Sequence, residues 1–411
     1  MSKMTKRAIV IGGGAAGFFA AIACAEANPD TQVTILEKAQ STLQKVKISG
    51  GGRCNVTHAC FVPKELVQFY PRGNKEMLGP FTRFQPADTM EWFADRGVDL
   101  KIEEDGRVFP ESNKSQTIVA CLESMAESAG VQIKTGIAVV DLRNEDGKWQ
   151  VKTTVGDFEA DVVMVAAGSS KKLWELLKKL GHTIIEPVPS LFTFNIKDER
   201  IKGLAGISVP MAEVTIASSD LVENGPLLIT HWGLSGPAVL KLSSWGAFEL
   251  QDRMHYFPIM VNWAADIDPE EILGAMIAEK QLNPRKRMQN HTMFGLPLRL
   301  WKKLAESVGI PTTANWADLS NKAINQFANQ ISSSVFQVSG KSTYKEEFVT
   351  AGGVDLKEVD FKRFESKIHP GLFMAGEILN IDALTGGFNF QAAWTGGWLA
   401  GHAMAGEDLP E

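Results

Sequence analysis

Six consecutive residues near the start, Gly12-Gly13-Gly14-Ala15-Ala16-Gly17, constrain this chain more than any other feature. They follow Ala8-Ile9-Val10-Ile11, the kind of apolar run a strand shows when it is buried on both faces. G-x-G-x-x-G between a strand and a helix is a dinucleotide-binding turn. Gly12 permits the tight turn, Gly14 lets backbone approach a pyrophosphate, and Gly17 lets the helix pack close to the strand. The helix expected from Phe18 to Ala27 opens with about half a positive charge facing the phosphates, so Ala15 and Ala16 at its mouth join the expected contacts. A second apolar run, Val33-Thr34-Ile35-Leu36, ends at Glu37, twenty residues beyond Gly17. An acid there accepts hydrogen bonds from the adenosine ribose and disfavours a 2′-phosphate. Lys38 beside it is counted with the site.

The rest of the composition narrows the setting. At 411 residues the chain is long enough for two or three domains. With 44% hydrophobic and 22% charged residues it reads as a soluble globular protein. A net charge of −6 argues against a nucleic-acid partner. Four cysteines do not make a disulfide scaffold, and a reducing, cytoplasmic setting is expected. Lys3, Lys6 and Arg7 ahead of the run from Ala8 to Ala25 imitate a secretory signal, but the glycines would break its helix. No apolar run has the length of a membrane span, and no metal site is expected.

The segment Ser49-Gly50-Gly51-Gly52-Arg53-Cys54-Asn55-Val56-Thr57 suits a second backbone approach to the cofactor through Gly51, Gly52 and Asn55, with Arg53 available for charge. Cys54 and Cys60 raise the alternative of a flavin-dependent disulfide reductase. Those enzymes place four residues between their cysteines, and here there are five. The extra residue rotates a helical partner by about 100° and spoils the pairing. His402 and Glu407 imitate the His-Glu pair of such enzymes but fall on the terminal helix.

Downstream, a helix over 86–96, a hairpin over 100–110 and a helix over 115–129 precede an antiparallel meander. Asp161-Val162-Val163-Met164-Val165 then runs as a buried strand into Ala166-Ala167-Gly168, where small residues leave room for a cofactor. Pro187-Val188-Pro189 marks an exit into β-rich sequence. There Thr230-His231-Trp232-Gly233 offers His231 either as a proton donor or as an ordinary turn histidine. Residues from Pro269 to about Gln330 are helical in character and include Arg285-Lys286-Arg287, a run that usually marks a solvated helix end. RNA binding through 280–303 is the reading of a different class. The chain then returns through Val349-Thr350-Ala351-Gly352-Gly353-Val354 and a strand ending in Gly376-Glu377. Gly386-Gly387-Phe388-Asn389-Phe390-Gln391 opens a final helix. Glu377 can hold a ribityl hydroxyl, while Gly387, Asn389 and Gln391 bring a helix N-terminus to the flavin edge that gains negative charge on reduction.

With these motifs in order, the chain resembles the YhiN/BaiN family of bacterial flavoproteins over nearly its whole length. The resemblance implies FAD and an α/β fold, in which a Rossmann-type FAD-binding domain is interrupted by an inserted β-barrel-like domain and a helical domain. The boundaries read 1–189 with 341–411 for the FAD-binding domain, 190–265 with 331–340 for the β-rich insert, and 266–330 for the helical insert. It also implies that Val139 meets adenine through its backbone and that Ala167-Gly168 lies beside the pyrophosphate. Glu377 departs from related flavoproteins, which more often carry Asp. The activity expected is two-electron transfer between flavin and a small organic substrate, an amine or NAD(P)H among them, although no second G-x-G-x-x-G marks a nicotinamide site. Purified protein is expected to be yellow and to release FAD on denaturation; release of FMN would overturn the placement of an adenosine half at residues 12–37.

Overall fold

The computed structural model describes residues 5–342 and 349–407. The chain divides into two compact units, Met1–Pro187 with Val349–Glu411 and Val188–Phe348.

In the first unit, β1 (Arg7–Ile11) leads through the glycine turn into α1 (Ala15–Ala27), followed by β2 (Gln32–Leu36) and α2 (Gln44–Gly52). Three further strands complete the parallel part of a seven-stranded sheet: β3 (Gln132–Lys134), β4 (Val162–Val165) and β5 (Leu372–Met374). Their order is β5-β4-β1-β2-β3, and each neighbouring pair is parallel. All four residues of β4 and the last four of β1 are buried, as both-face coverage requires. From β1 the chain builds outward first on one side, through β2 and β3, and later on the other, through β4 and β5. The reversal lies between β1 and β4. Their carboxyl ends therefore flank the crevice where sheets of this kind receive ligands.

A long final helix, α3 (Phe388–Ala405), lies parallel to α1. A Cβ on Gly397 would sit 2.5 Å from the Ala16 carbonyl oxygen, and one on Gly401 would sit 2.5 Å from that of Ala20. The matched offsets set the two helices in the same direction, backbone against backbone. Phe19 on α1 closes the contact against Trp394 and Trp92, with ring centroids 4.6 and 4.5 Å away.

The first unit also carries the expected hairpin, Leu100–Ile102 with Arg107–Pro110, and a meander of three strands over 139–160. Asp146 and Gly147 both take positive φ at the tip of the meander's first hairpin, the mirror-image turn that matches strand twist.

The second unit is built on a closed barrel of six strands: Thr193–Ile196, Gly233–Ser235, Val222–Ile229, Ser208–Ile216, Tyr256–Asn262 and Ser334–Ser342, in that order around the wall. Tyr256–Asn262 alternates exposed and buried positions, the pattern of a wall wet on one face. Helices Pro237–Trp245 and Ala247–Asp252 fall within a stretch whose sequence reads as β-rich. The helical segment, with Pro269–Leu282, Leu298–Ser307 and Asn321–Ser332, shares one continuous hydrophobic core with the barrel. The Trp263 backbone N–H at the end of a barrel strand donates to Ile331 O (2.8 Å), which seals the last of these helices onto the barrel. No break in the core marks the boundary expected near residue 265.

Gly401→Ala separates two effects of opposite sign. Helix propensity favours alanine by about 1 kcal/mol. The new Cβ would meet the Ala20 backbone at 2.5 Å and the Ala23 Cβ at 2.7 Å, and backbone cannot step aside. Overpacking, at about 1–3 kcal/mol, should win. The substitution is expected to lower the midpoint of urea unfolding, and a rise would show that the two helices are free to separate.

Candidate dinucleotide site

The glycine turn is shaped by what surrounds it. Gly12 has φ +113°, and a Cβ there would sit 2.5 Å from Ala166 O just beyond β4. At Gly17 an added Cβ would collide with the Gly12 carbonyl. Gly14 differs: a Cβ on it would meet nothing within 4 Å. It stands at the N-cap of α1, where no side chain caps the helix and no acid lies in the first turn. The N–H groups of Ala15 and Ala16 begin that turn, so the helix mouth is left to an external acceptor.

Glu37 stands where the sequence places it, but it works on the protein first. Its carboxylate accepts from Gly13 N–H and Ala39 N–H, both at 2.8 Å, and so ties the glycine turn to the end of β2. The Ile137 N–H donates to Glu37 O (2.9 Å), which brings the segment entering Val139, itself buried, alongside. Lys38 is exposed next to this junction.

Across the crevice, Gly168 follows Ala167 with φ +57°, and a Cβ on it would lie 3.5 Å from Glu377 Oε2. Gly376 packs toward α1, its Cβ position 3.4 Å from the Ala16 Cβ. The structure thus gathers residues 12–17, 167–168 and 376–377 at one sheet edge. Glu377 is paired with Lys45 of α2, a residue that sequence reasoning passed over because one lysine on a polar helix gives no pattern.

Two motifs more than three hundred residues apart prove to be one structure. With its amide oxygen toward Gly387, Asn55 accepts from the Gly387 N–H (3.0 Å) and donates to Thr57 O (3.0 Å). The Trp394 indole N–H donates to Val56 O (2.9 Å). Gln391 is fully buried: its Oε1 accepts from Thr57 and Thr89 (2.6 and 2.9 Å), and its amide donates to Thr395 (3.1 Å). Asn389 makes a two-way bond with the backbone of Ala383. Arg53, expected to offer free charge, pairs with Glu103 (2.6 Å) and lies 3.9 Å from the Phe109 ring centre. The side chains of Arg53, Asn389 and Gln391 are thus committed to the protein. What faces outward is backbone: at Gly51 and Gly52, both at positive φ, a Cβ would meet nothing within 4 Å.

His58 was likewise invisible in sequence. Its ring stacks on Phe388 in the first turn of α3 (4.6 Å, 24°) and covers Gly106, whose Cβ would sit 2.5 Å from His58 Cε1. Nε2–H donates to Asp105 O (3.1 Å), which fixes the tautomer and leaves a buried Nδ1 lone pair without a partner. Burial lowers the pKa of the imidazole, so it stays neutral. His231 lies exposed in the barrel unit, at a turn closed by Thr230 Oγ1, which accepts from the N–H groups of Trp232 and Gly233 (3.2 and 3.1 Å).

All four cysteines are free thiols. Cys54 is fully buried with φ +61°, and burial pushes its thiol up to about 12. Burial also raises the Cys60 thiol. The His402–Glu407 hydrogen bond (2.6 Å) closes the far end of α3, about 21 Å of helix from its N-terminus.

A Rossmann sheet with a glycine turn at its reversal point, and a second glycine-opened helix beside it, defines the class of dinucleotide-binding Rossmann proteins. Residues 6–403 match the HI0933-like protein Rossmann domain, and the chain belongs to that family, in keeping with the YhiN/BaiN resemblance of its motifs. It is 27% identical over 406 residues to a 3-dehydro-bile acid delta(4,6)-reductase of Clostridium scindens, spanning 96% of this chain and 98% of the relative. It is 28% identical over 408 residues to a ribosomal RNA dihydrouridine synthase of Escherichia coli, spanning 95% and 96%. The fold is shared with a 3-ketosteroid-delta4-(5alpha)-dehydrogenase of Rhodococcus jostii, at 14% identity and TM-score 0.52 over 98% of both chains. Among the described residues, no helix is long and apolar enough to cross a membrane.

The cysteines offer a clean test. A thiol held near 12 is neutral throughout the working pH range, so native protein at pH 8 should leave Cys54 unmodified by a thiol reagent. Reduction should take up two electrons per flavin and show no thiolate-to-flavin charge-transfer band. Uptake of four would restore the disulfide-reductase reading.

Proposed function

We propose that this protein binds FAD and reduces a carbon–carbon double bond conjugated to a carbonyl group. The observation that carries the cofactor is the stagger of α1 and α3. Gly397, nine residues into α3, lies against Ala16, one residue into α1, so the mouth of α3 stands about 12 Å farther out along the shared direction. Two positive helix ends at that separation suit a dinucleotide with its diphosphate at one and its flavin ring edge at the other. The open positions at Gly14, Gly51 and Gly52 fit the same ligand, since side chains there would fill the space. Val139 would meet adenine, Glu37 the ribose, and Glu377 the ribityl chain.

Bound FAD supplies a two-electron hydride donor. The chain's residues would hold the ring edge near the mouth of α3, whose positive end would favour negative charge there. His58, neutral and stacked on Phe388, walls this end. The reaction class is supported by what the full-length relatives are named for. A 3-dehydro-bile acid delta(4,6)-reductase and a dihydrouridine synthase both saturate a double bond conjugated to a carbonyl. Such saturation places hydride on the carbon remote from the carbonyl and a proton on the adjacent one. NADH or NADPH is the proposed reductant.

One observation favours uracil in RNA over a small enone. Residues 280–303 hold seven Lys and Arg and no Asp or Glu, in a chain of net charge −6. Arg285, Lys286, Arg287 and Arg299 are exposed. That concentration suits a phosphate polymer.

The test uses protein reduced without oxygen and mixed either with ribosomal RNA from cells lacking it or with a conjugated 3-oxo steroid diene. Reoxidation of the flavin, with two hydrogens gained by the acceptor in mass spectrometry, is expected with at least one, and with RNA if the basic segment binds a phosphate backbone. Reoxidation by oxygen alone would overturn the reaction class.

A further inference from the structure

The Lys45–Glu377 pair reaches across the crevice, between α2 and the loop after β5. Its two members are held very differently. The Glu377 side chain is 17% exposed and faces Gly168, whereas that of Lys45 is 56% exposed. The root of Lys45 is nonetheless fixed. Leu43, at the start of α2, takes a left-handed conformation (φ 55°), and its N–H donates to the Gly13 carbonyl (2.8 Å). The first turn of α2 is thereby fastened to the glycine turn, and Lys45 projects from it toward the region bounded by residues 12–17, 168 and 376–377. That region contains an α1 mouth with no side-chain cap and no acid in its first turn, and the empty Cβ direction of Gly14.

We propose that Lys45 is a ligand for the diphosphate of the dinucleotide, and that Glu377 holds its ammonium in place until the diphosphate arrives. The inference rests on the proposal that the site takes FAD. A lone ammonium at this mouth would face the positive end of α1, and Glu377 supplies the counter-charge that makes its position stable. An arriving diphosphate presents more negative charge than one carboxylate, so Lys45 exchanges partners with a small movement of a flexible side chain. Glu377, released, is then free to accept from a ribityl hydroxyl. The same exchange explains why a glutamate serves at 377: its extra methylene lets the carboxylate reach the lysine while remaining rooted beside Gly376.

The experiment titrates the full-length, flavin-free protein with FAD, followed by flavin fluorescence, and then displaces FAD with ADP or with adenosine. ADP carries the diphosphate and adenosine does not. Lys45→Ala is expected to weaken FAD and ADP alike by about tenfold to a hundredfold and to leave adenosine unchanged. Lys45→Arg should retain most of the affinity. In wild type, binding of FAD should weaken as salt rises, and Lys45→Ala should flatten that dependence. Equal losses for ADP and adenosine would make Lys45 a structural residue and overturn the proposal, as would unchanged affinity for all three. Failure of wild type to bind FAD or ADP at all would instead overturn the cofactor reading, and this inference with it.

Discussion

Much of the first unit depends on one contact, the backbone-to-backbone seam between α1 and α3. Gly397 and Gly401 let α3 lie on the carbonyls of Ala16 and Ala20, a closeness no larger residue allows. The seam runs parallel, which sets two helix dipoles side by side with their positive ends toward the same region. That arrangement is unfavourable on its own and is held by packing, with Phe19, Trp92, Phe93 and Trp394 forming an aromatic cluster along it. An anion at the helix mouths relieves the repulsion. The geometry is therefore poised for a charged ligand before any side chain is considered.

The outer end of α3 needs separate support, because it overshoots α1 and cannot be steadied by the seam. The brace is polar and buried. Thr57, Thr89, Gln391 and Thr395 form a chain of hydrogen bonds that ends on Phe84 O, and each buried group finds a partner. The Tyr70 hydroxyl, fully buried, donates to Phe388 O (2.6 Å). Asp382, with no exposure, is paired with Arg72 and fixes the loop that leads into the helix. Such a pair gains little net stability against its desolvation, but losing either partner would strand a buried charge.

These braces occupy the side chains of some polar residues, near the ends of the glycine motifs, that the sequence offers as cofactor contacts. Asn389 and Gln391 have the right chemistry and lie at the mouth of the right helix. In the fold, Asn389 closes its own loop on Ala383, and Gln391 turns inward to Thr57 and Thr89. Arg53 follows the same logic, drawn to Glu103 and Phe109 of the hairpin beside it. Polar side chains next to an exposed backbone site are the nearest means of holding that backbone, so motif position alone cannot separate the two roles.

What the sequence determined by itself was whatever depends on near neighbours in the chain. The strand, glycine turn, helix and acid of residues 8–37 are contiguous, and their periodicity and glycine spacing are local steric facts, so the Rossmann core was legible there. The same holds for the Asp146-Gly147 turn. Tertiary structure alone decided the partners: Lys45 with Glu377, Asn55 with Gly387, His58 over Gly106, and the barrel with its helices in one core. These pairs join residues tens to hundreds of positions apart. Which side chain a carboxylate or amide meets is set by the packing of whole elements, and no periodicity in the chain encodes it.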